Sequence, residues 1–287
     1  MLASGVLGYS ATMMQKIAES GAAAVVTKSI GPKPRKGYLN PTVVQTSSGL
    51  INALGLPNPG IDGFTEEIKA AKKLLDVPLI TSIYGYVPEE YVAVAKKAVA
   101  AGADALEINV SCPHVKETGS EIGQNAETLQ EVVRKIKATV SKPVLVKLSP
   151  NVTNIASIAE VAVKAGADAI TAANTVKAMT IDIETCMPVL SNKVGGLSGS
   201  AIKPIAVRCV YDIHERVNVP IIGCGGITEW QDAVEFILAG ASAVQIGTAI
   251  ATKGLNVFKK ITQGIEAYMV RKGFKSVSDI VGLSHHK

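Results

Sequence analysis

Apolar positions along this chain follow two alternating rhythms. Short, unbroken apolar runs lie near residues 2–5, 23–28, 79–84, 105–110, 144–148, 169–173, 221–224 and 243–247. Between them, near 11–20, 65–75, 88–101, 125–140, 154–165, 201–217, 229–239 and 255–272, apolar residues recur at helical spacing among lysines and glutamates. The runs read as strands buried on both faces, because a strand with one wet face would alternate apolar with polar. Two recurring phrases mark the returns from helix to strand. One is Ser20-Gly-Ala-Ala-Ala-Val25, repeated as Ala101-Gly-Ala-Asp-Ala-Leu106, Ala165-Gly-Ala-Asp-Ala-Ile170 and Ala239-Gly-Ala-Ser-Ala-Val244. The other puts proline just before a strand, in Val77-Pro-Leu-Ile80, Lys142-Pro-Val-Leu145 and Val219-Pro-Ile-Ile222. Glycine after a helix supplies the left-handed residue that ends it.

This alternation predicts an α/β fold, a (β/α)8 TIM barrel forming one domain over residues 1–287. A doubly wound sheet is the rival. It is disfavoured because no Gly-x-Gly-x-x-Gly opens a helix after a strand. Long insertions at 29–64 and 175–200 follow strand ends. They are expected to lie as loops over the C-terminal mouth, where barrels keep their chemistry.

The strand ends bring polar residues to that mouth: Lys28-Ser29, Asn109 with Ser111 and Cys112, Lys147 with Ser149, Asn174-Thr175, Gly225-Gly226 and Gly247-Thr248. Lysine is rarely buried alone, so Lys28 and Lys147 imply a bound anion or a carboxylate. Glu107, two residues before Asn109, faces the same side by strand alternation. The glycines after the last two strands, with Gly199 before a helix, suit the phosphate site common in barrels. A flavin mononucleotide fits better than a phosphorylated sugar, since carboxylates for sugar chemistry are lacking. The residues alone leave Cys112 open between a small buried hydrophobe and a reactive thiol.

Composition narrows the class. The chain has 287 residues, 47% hydrophobic and 18% charged, with net charge +5. The excess charge is spread out, which excludes the concentrated basic face of a nucleic-acid binder. The four cysteines, Cys112, Cys186, Cys209 and Cys224, form no C-x-x-C pair, so no metal or cluster site is signalled. No signal peptide or apolar stretch of membrane-spanning length is apparent, so a soluble cytoplasmic protein is expected.

The motifs together resemble the class 1 dihydroorotate dehydrogenases, and most of all the class 1B catalytic subunits. They are Leu2-Ala-Ser-Gly5, Thr27-Lys28-Ser29, Asn52-Ala-Leu-Gly-Leu56 with Asn58-Pro-Gly60, Asn109-Val-Ser-Cys-Pro113 and Val146-Lys-Leu-Ser-Pro-Asn-Val152. Asn174-Thr175, Gly195-Gly-Leu-Ser-Gly199, Ala201-Ile-Lys-Pro204, Gly225-Gly-Ile227 and Gln245-Ile-Gly-Thr248 continue the series. The resemblance implies FMN at the barrel mouth and oxidation of (S)-dihydroorotate to orotate in pyrimidine biosynthesis. It implies that Cys112 is the base, that Lys147 lies near the flavin N1–O2 edge, and that Lys28 contacts flavin and substrate. Asn52, Ala53, Leu54, Gly55, Leu56, Asn109, Asn174 and Thr175 would meet the pyrimidine, Asn109 also touching the flavin. Ala3, Gly5, Ser29, Gly199, Gly225, Gly226, Gly247 and Thr248 would meet the cofactor. It also implies a homodimer core within a heterotetramer, and a partner subunit carrying FAD and a [2Fe–2S] cluster that passes electrons to NAD+.

Two departures from that pattern stand out. His114 occupies the place where the family pattern Ser-Cys-Pro-Asn has asparagine; dihydropyrimidine dehydrogenases share Ser-Cys-Pro-His. The sequence also begins almost at its first strand, where members of the family usually carry further residues. Three alternatives remain: a fumarate-linked class 1A enzyme, a dihydropyrimidine-dehydrogenase-like barrel, and a non-redox aldolase with a Schiff base on Lys147.

Overall fold

The structure is a computed structural model that describes residues 1–110 and 125–286. The apolar runs become parallel strands: β1 (Val25–Val26), β4 (Leu79–Ile83), β5 (Ala105–Asn109), β6 (Val144–Leu148), β7 (Ala169–Ala172), β12 (Ile221–Cys224) and β13 (Ala243–Gln245), side by side in that order. The insertions supply β2 (Val43–Thr46), β3 (Gly49–Asn52), β8 (Val176–Met179), β9 (Ile181–Asp182), β10 (Met187–Pro188) and β11 (Val194–Ser198). The parallel sheet closes through Leu2, which bridges both Val25 and Ile246. Leu2 N donates to Ala24 O at 3.0 Å, Ala3 N to Ile246 O at 2.9 Å, and Ile246 N to Met1 O at 2.9 Å. This is the predicted TIM barrel. Its first strand is shorter than the expected 2–5, because Gly5 takes φ +88° and turns the chain out of the ladder.

Both faces of the strands are buried, for different reasons. Outward residues such as Leu79, Leu106, Val146 and Ile170 pack into the main core. That core also receives the inner faces of helices α1 (Ala11–Glu19), α2 (Gly60–Leu74), α3 (Pro88–Ala100), α4 (Ala126–Lys137), α5 (Ile155–Lys164), α6 (Lys203–His214) and α7 (Trp230–Leu238). α8 (Ala249–Lys253) and α9 (Val257–Lys272) are the remaining α-helices among the described residues. Inward residues form layers. Ala24, Val26, Ile80, Ala105, Leu145, Ala169 and Ile222 make a separate apolar cluster that plugs the barrel. Two residues further along β5, β6, β7 and β13 the inward positions turn polar, to Glu107, Lys147, Thr171 and Gln245, all buried.

The repeated Ala-Gly-Ala phrases have a structural reason. Gly21, Gly102, Gly166 and Gly240 all take positive φ after a helix. In the two copies that continue with aspartate, the carboxylate ties neighbouring elements together. Asp104 accepts from Leu79 N at 2.9 Å and from Lys72 Nζ at 2.6 Å. Asp168 accepts from Val144 N and Lys137 Nζ, both at 2.7 Å.

The insertions are not the loops expected. They meet in an antiparallel sheet of order β2-β3-β11-β8 above the mouth. Gly196 pairs with Asn52, and Leu197 with Ile51. Close approach explains why this run contains glycine. A Cβ on Gly195 would lie 2.7 Å from Ile51 Cγ2 and 2.8 Å from Asn52 O. Beneath β3, Ile51, Ala53 and Leu190 form a small core of their own. No described helix is long and apolar enough to cross a membrane.

Candidate functional site

A cavity of about 320 Å³ opens where the barrel strands end. Its walls include Lys28 and Ser29 beyond β1, Asn109 at the end of β5, Lys147 in β6, Asn174 and Thr175 after β7, and Cys224, Gly225 and Gly226 at the end of β12. Ala3, Gly5, Gly199, Gly247 and Thr248 line the side formed by the closing strand and its neighbours. The small sheet contributes Val43, Leu50 and Asn52, and the following turn Leu54, Gly55 and Leu56. Ala53 alone of the described candidates turns away. It is fully buried with Ile51 and Leu190, because alternation along the strand sends it to the opposite face from Asn52. Cys112 and His114 lie outside the described residues.

The floor is a hydrogen-bonded cluster supplied by four strands. Lys147 Nζ donates to Gln245 Oε1 at 3.1 Å and stands 3.5 Å from Glu107 Oε1. Glu107 Oε2 accepts from Gln245 Nε2 at 2.7 Å and from Thr171 Oγ1 at 3.1 Å. Burial pulls the Lys147 ammonium down, but the Glu107 carboxylate outweighs it and holds the group above the ordinary lysine value. Cys224 sits nearby, and burial pushes its thiol up, so at neutral pH it is uncharged and Glu107 is the counter-charge. The expectation that a buried lysine finds a carboxylate is met for Lys147.

Lys28 differs. It is 3% exposed, lies over the Tyr9 ring at 4.9 Å, and has no carboxylate partner among the described residues. A buried cation without a counter-ion favours an anion in the cavity beside it. Next to it Asn109 Nδ2 donates to Ser29 Oγ at 3.0 Å, and the Ser29 and Ser82 hydroxyls are hydrogen-bonded to each other at 2.9 Å. Tyr91 Oη donates to Asn109 O at 3.1 Å. Asn52 Nδ2 donates to Gly196 O at 3.2 Å, so the β3–β11 pairing also aims this amide. Asn151 joins Ser149 to Thr175, with Nδ2 donating to Ser149 Oγ at 2.8 Å and to Thr175 O at 2.9 Å.

On the glycine side, Thr248 Oγ1 donates to Ser198 Oγ at 2.8 Å. Gly226 takes φ +79°, and a Cβ there would meet Lys203 N at 2.8 Å and Gly199 O at 2.9 Å. Only glycine fits this turn, so Gly226 lines the cavity with bare backbone beside Gly199 and Gly225. In the sequence Gln245 stands out only as the first residue of the Gln245–Thr248 motif, with no role of its own, Thr171 not at all, and Cys224 only as one of four cysteines. The signal for the first two was polar residues two positions after an inward apolar one, in step with Glu107 and Lys147. Among the described residues no cluster of histidine, cysteine and carboxylate groups is arranged to hold a metal.

Fold and site together define a (β/α)8 barrel of the enzyme kind, with a cationic, glycine-edged cavity at the C-terminal ends of its strands. The sequence model of the dihydroorotate dehydrogenase family matches residues 1–269, and the chain belongs to that family. It is 52% identical to the dihydroorotate dehydrogenase B (NAD(+)) catalytic subunit of Pyrococcus abyssi over 284 residues, 99% of this chain and 94% of that protein. The protein of the same name from Pyrococcus furiosus is 53% identical over the same coverage. That of Methanosarcina acetivorans is 48% identical over 286 residues, 99% of this chain and 92% of the other.

Proposed function

We propose that this chain is the catalytic subunit of a class 1B dihydroorotate dehydrogenase, a single catalytic domain that oxidises (S)-dihydroorotate to orotate in pyrimidine biosynthesis. The observation that carries the reading is the pair of buried lysines lining one cavity, in a chain matched along nearly its whole length by proteins of that name. The cavity suits FMN. Gly199, Gly225, Gly226 and Gly247 edge it with bare backbone, and Lys147 supplies a fixed positive charge on the floor. When bound, the flavin supplies a two-electron acceptor for the hydride leaving the substrate.

The chain's own residues do the rest. Lys28 provides a desolvated cation for the substrate carboxylate. Asn52, Asn109, Asn174 and Thr175 present amides and a hydroxyl to the pyrimidine edge. Ala3, Gly5, Ser29, Gly199, Gly225, Gly226, Gly247 and Thr248 line the cofactor side. Lys147 favours negative charge developing beside it. Cys112, assigned from its sequence context, removes the C5 proton; a cationic neighbourhood lowers a thiol's pKa toward that task.

Electrons pass to NAD+ through a partner subunit with FAD and a [2Fe–2S] cluster, in the cytoplasm; the relatives' names, which give NAD(+) and a catalytic subunit, support the acceptor and the partner. A homodimer of this chain would cover exposed apolar residues of the insertions, Leu39 before β2 and Ile183 and Met187 of the β9–β10 hairpin. The aldolase alternative is opposed by the floor. A Schiff-base lysine must shed its proton near neutrality, and Glu107 holds Lys147 charged.

The test is direct. The purified protein should bind FMN, and dihydroorotate should bleach the flavin absorbance anaerobically. Cys112→Ala should keep the flavin and slow its reduction by on the order of a hundredfold or more. A protein that takes up no flavin, or a Cys112→Ala variant reduced at the normal rate, would sink the assignment.

A further inference from the structure

A carboxylate at the centre of a barrel strand needs a reason. Glu107 is fully buried, and an apolar residue there would simply extend the plug beneath it. Burying a carboxylate is costly unless its charge and lone pairs are met. Here they are met unevenly. Oε2 takes two hydrogen bonds, from Gln245 and Thr171. Oε1 takes none, and faces the Lys147 ammonium at 3.5 Å. That distance lies beyond an ordinary N–H···O bond, so Glu107 attracts the charge without engaging an N–H at bonding length.

The Gln245 amide lies between the two. Its orientation follows from chemistry: a carboxylate only accepts and an ammonium only donates. The NH2 end must face Glu107 and the oxygen must face Lys147. Glu107 thereby fixes the amide, and the amide oxygen holds one ammonium N–H at 3.1 Å. An ammonium has three N–H groups, so this arrangement leaves donor capacity directed toward the cavity that Lys147 lines.

We propose that Glu107 is a positioning residue for Lys147. As counter-charge it keeps the lysine protonated in a buried floor, and through the Gln245 amide it aims the ammonium at the cavity. The consequence for a flavin rests on the function proposed above. A fixed cation favours the reduced, more negative form, so this cluster sets the cavity's affinity for reduced relative to oxidised flavin. Among the described residues, the titratable groups facing the cluster are Lys147, Glu107 and the Cys224 thiol of β12, with the Met1 amine facing Cys224 in turn.

The experiment has two arms, one of which needs no flavin. In the flavin-free protein, stability is followed against pH for wild type, Glu107→Gln and Glu107→Gln/Lys147→Met. With its counter-charge removed, burial draws the Lys147 pKa below its unfolded value. Between those two values the unfolded chain then binds more protons than the folded one. Glu107→Gln should therefore gain stability relative to wild type as pH rises from neutral, and the double variant should lose that gain. Parallel pH curves for wild type and Glu107→Gln overturn the proposal.

In the second arm Gln245→Met keeps the counter-charge and removes the amide link. Its pH curve should match wild type. Its preference for reduced over oxidised FMN should fall on the order of tenfold, about 30 mV for a two-electron couple. An unchanged preference overturns the aiming role, and this variant carries the test if Glu107→Gln does not fold. A protein that shows the pH behaviour but binds no flavin would keep the Glu107–Lys147 relation and remove the proposed function instead.

Discussion

Lys28 and Lys147 show how one residue type is put to two uses by its neighbours. Lys147 has an internal carboxylate, and its charge is a fixture of the floor. Lys28 has a tyrosine face and no carboxylate among the described residues, so its charge is left for whatever enters the cavity. Lys28→Met should therefore weaken orotate binding on the order of a hundredfold, since it deletes one member of a desolvated charge pair; titration of the flavin spectrum with orotate reads it, and unchanged affinity would remove Lys28 from the substrate site. Both lysines were legible in the sequence because a charge inside an apolar run is anomalous. Gln245 and Thr171 were not, since an uncharged polar residue in a strand is common and only the register with Glu107 gives it meaning. Ala53 was swept in with its neighbours in the Asn52–Leu56 run, but strand alternation sends its side chain into the small core under β3.

Among the elements, the barrel strands and helices followed the hydrophobic rhythm closely, since burial on both faces leaves an unbroken apolar signature. The β2-β3-β11-β8 sheet did not. Its strands are short, rich in glycine and polar residues, and drawn from two insertions far apart in sequence, so pairing rather than pattern defines them. Gly195→Ala tests how far the site depends on that pairing. The new methyl meets Ile51, Leu190 and Asn52 O inside ordinary contact, and relief requires β3 to move. The expected cost is about 1–3 kcal/mol, with orotate affinity falling as Asn52 shifts; denaturation and ligand titration measure the two, and a variant unchanged in both would show that the ladder tolerates the methyl. The Asp104 latch is a second test. Burial pushes its carboxyl up, but Leu79 N–H and Lys72 outweigh that and hold it below the ordinary aspartate value. A depressed folded pKa contributes stability above the unfolded value, and that stability is lost as pH falls through the folded one. Asp104→Asn should cost about 1 kcal/mol at neutral pH, and the gap to wild type should close in acid. A gap that stays constant down to pH values below both pKa values would count against the charge.

At the level of the whole molecule, most of the exposed large apolar side chains among the described residues lie on the insertions, with Leu74, Ile205 and Val270 the exposed ones on helices. Ile183 and Met187 of the hairpin are 83% and 62% exposed, and Leu39 is 85% exposed. If a second copy covers them, Ile183→Asp with Met187→Asp should give a folded monomer where wild type sediments as a dimer; a wild-type monomer would discard that surface as the contact. The seam that closes the barrel carries a different consequence. The Met1 amine bonds Val244 O at 2.9 Å across 243 positions of sequence, and Leu2 is flanked by Val25 and Ile246. A ribosome adds about 5–20 residues each second, so the first staves of this cask wait on the order of tens of seconds for the last to be cut. Until then β1 is hooped by Leu2 on one side and β4 on the other, and the side of Leu2 that will meet Ile246 is an open edge.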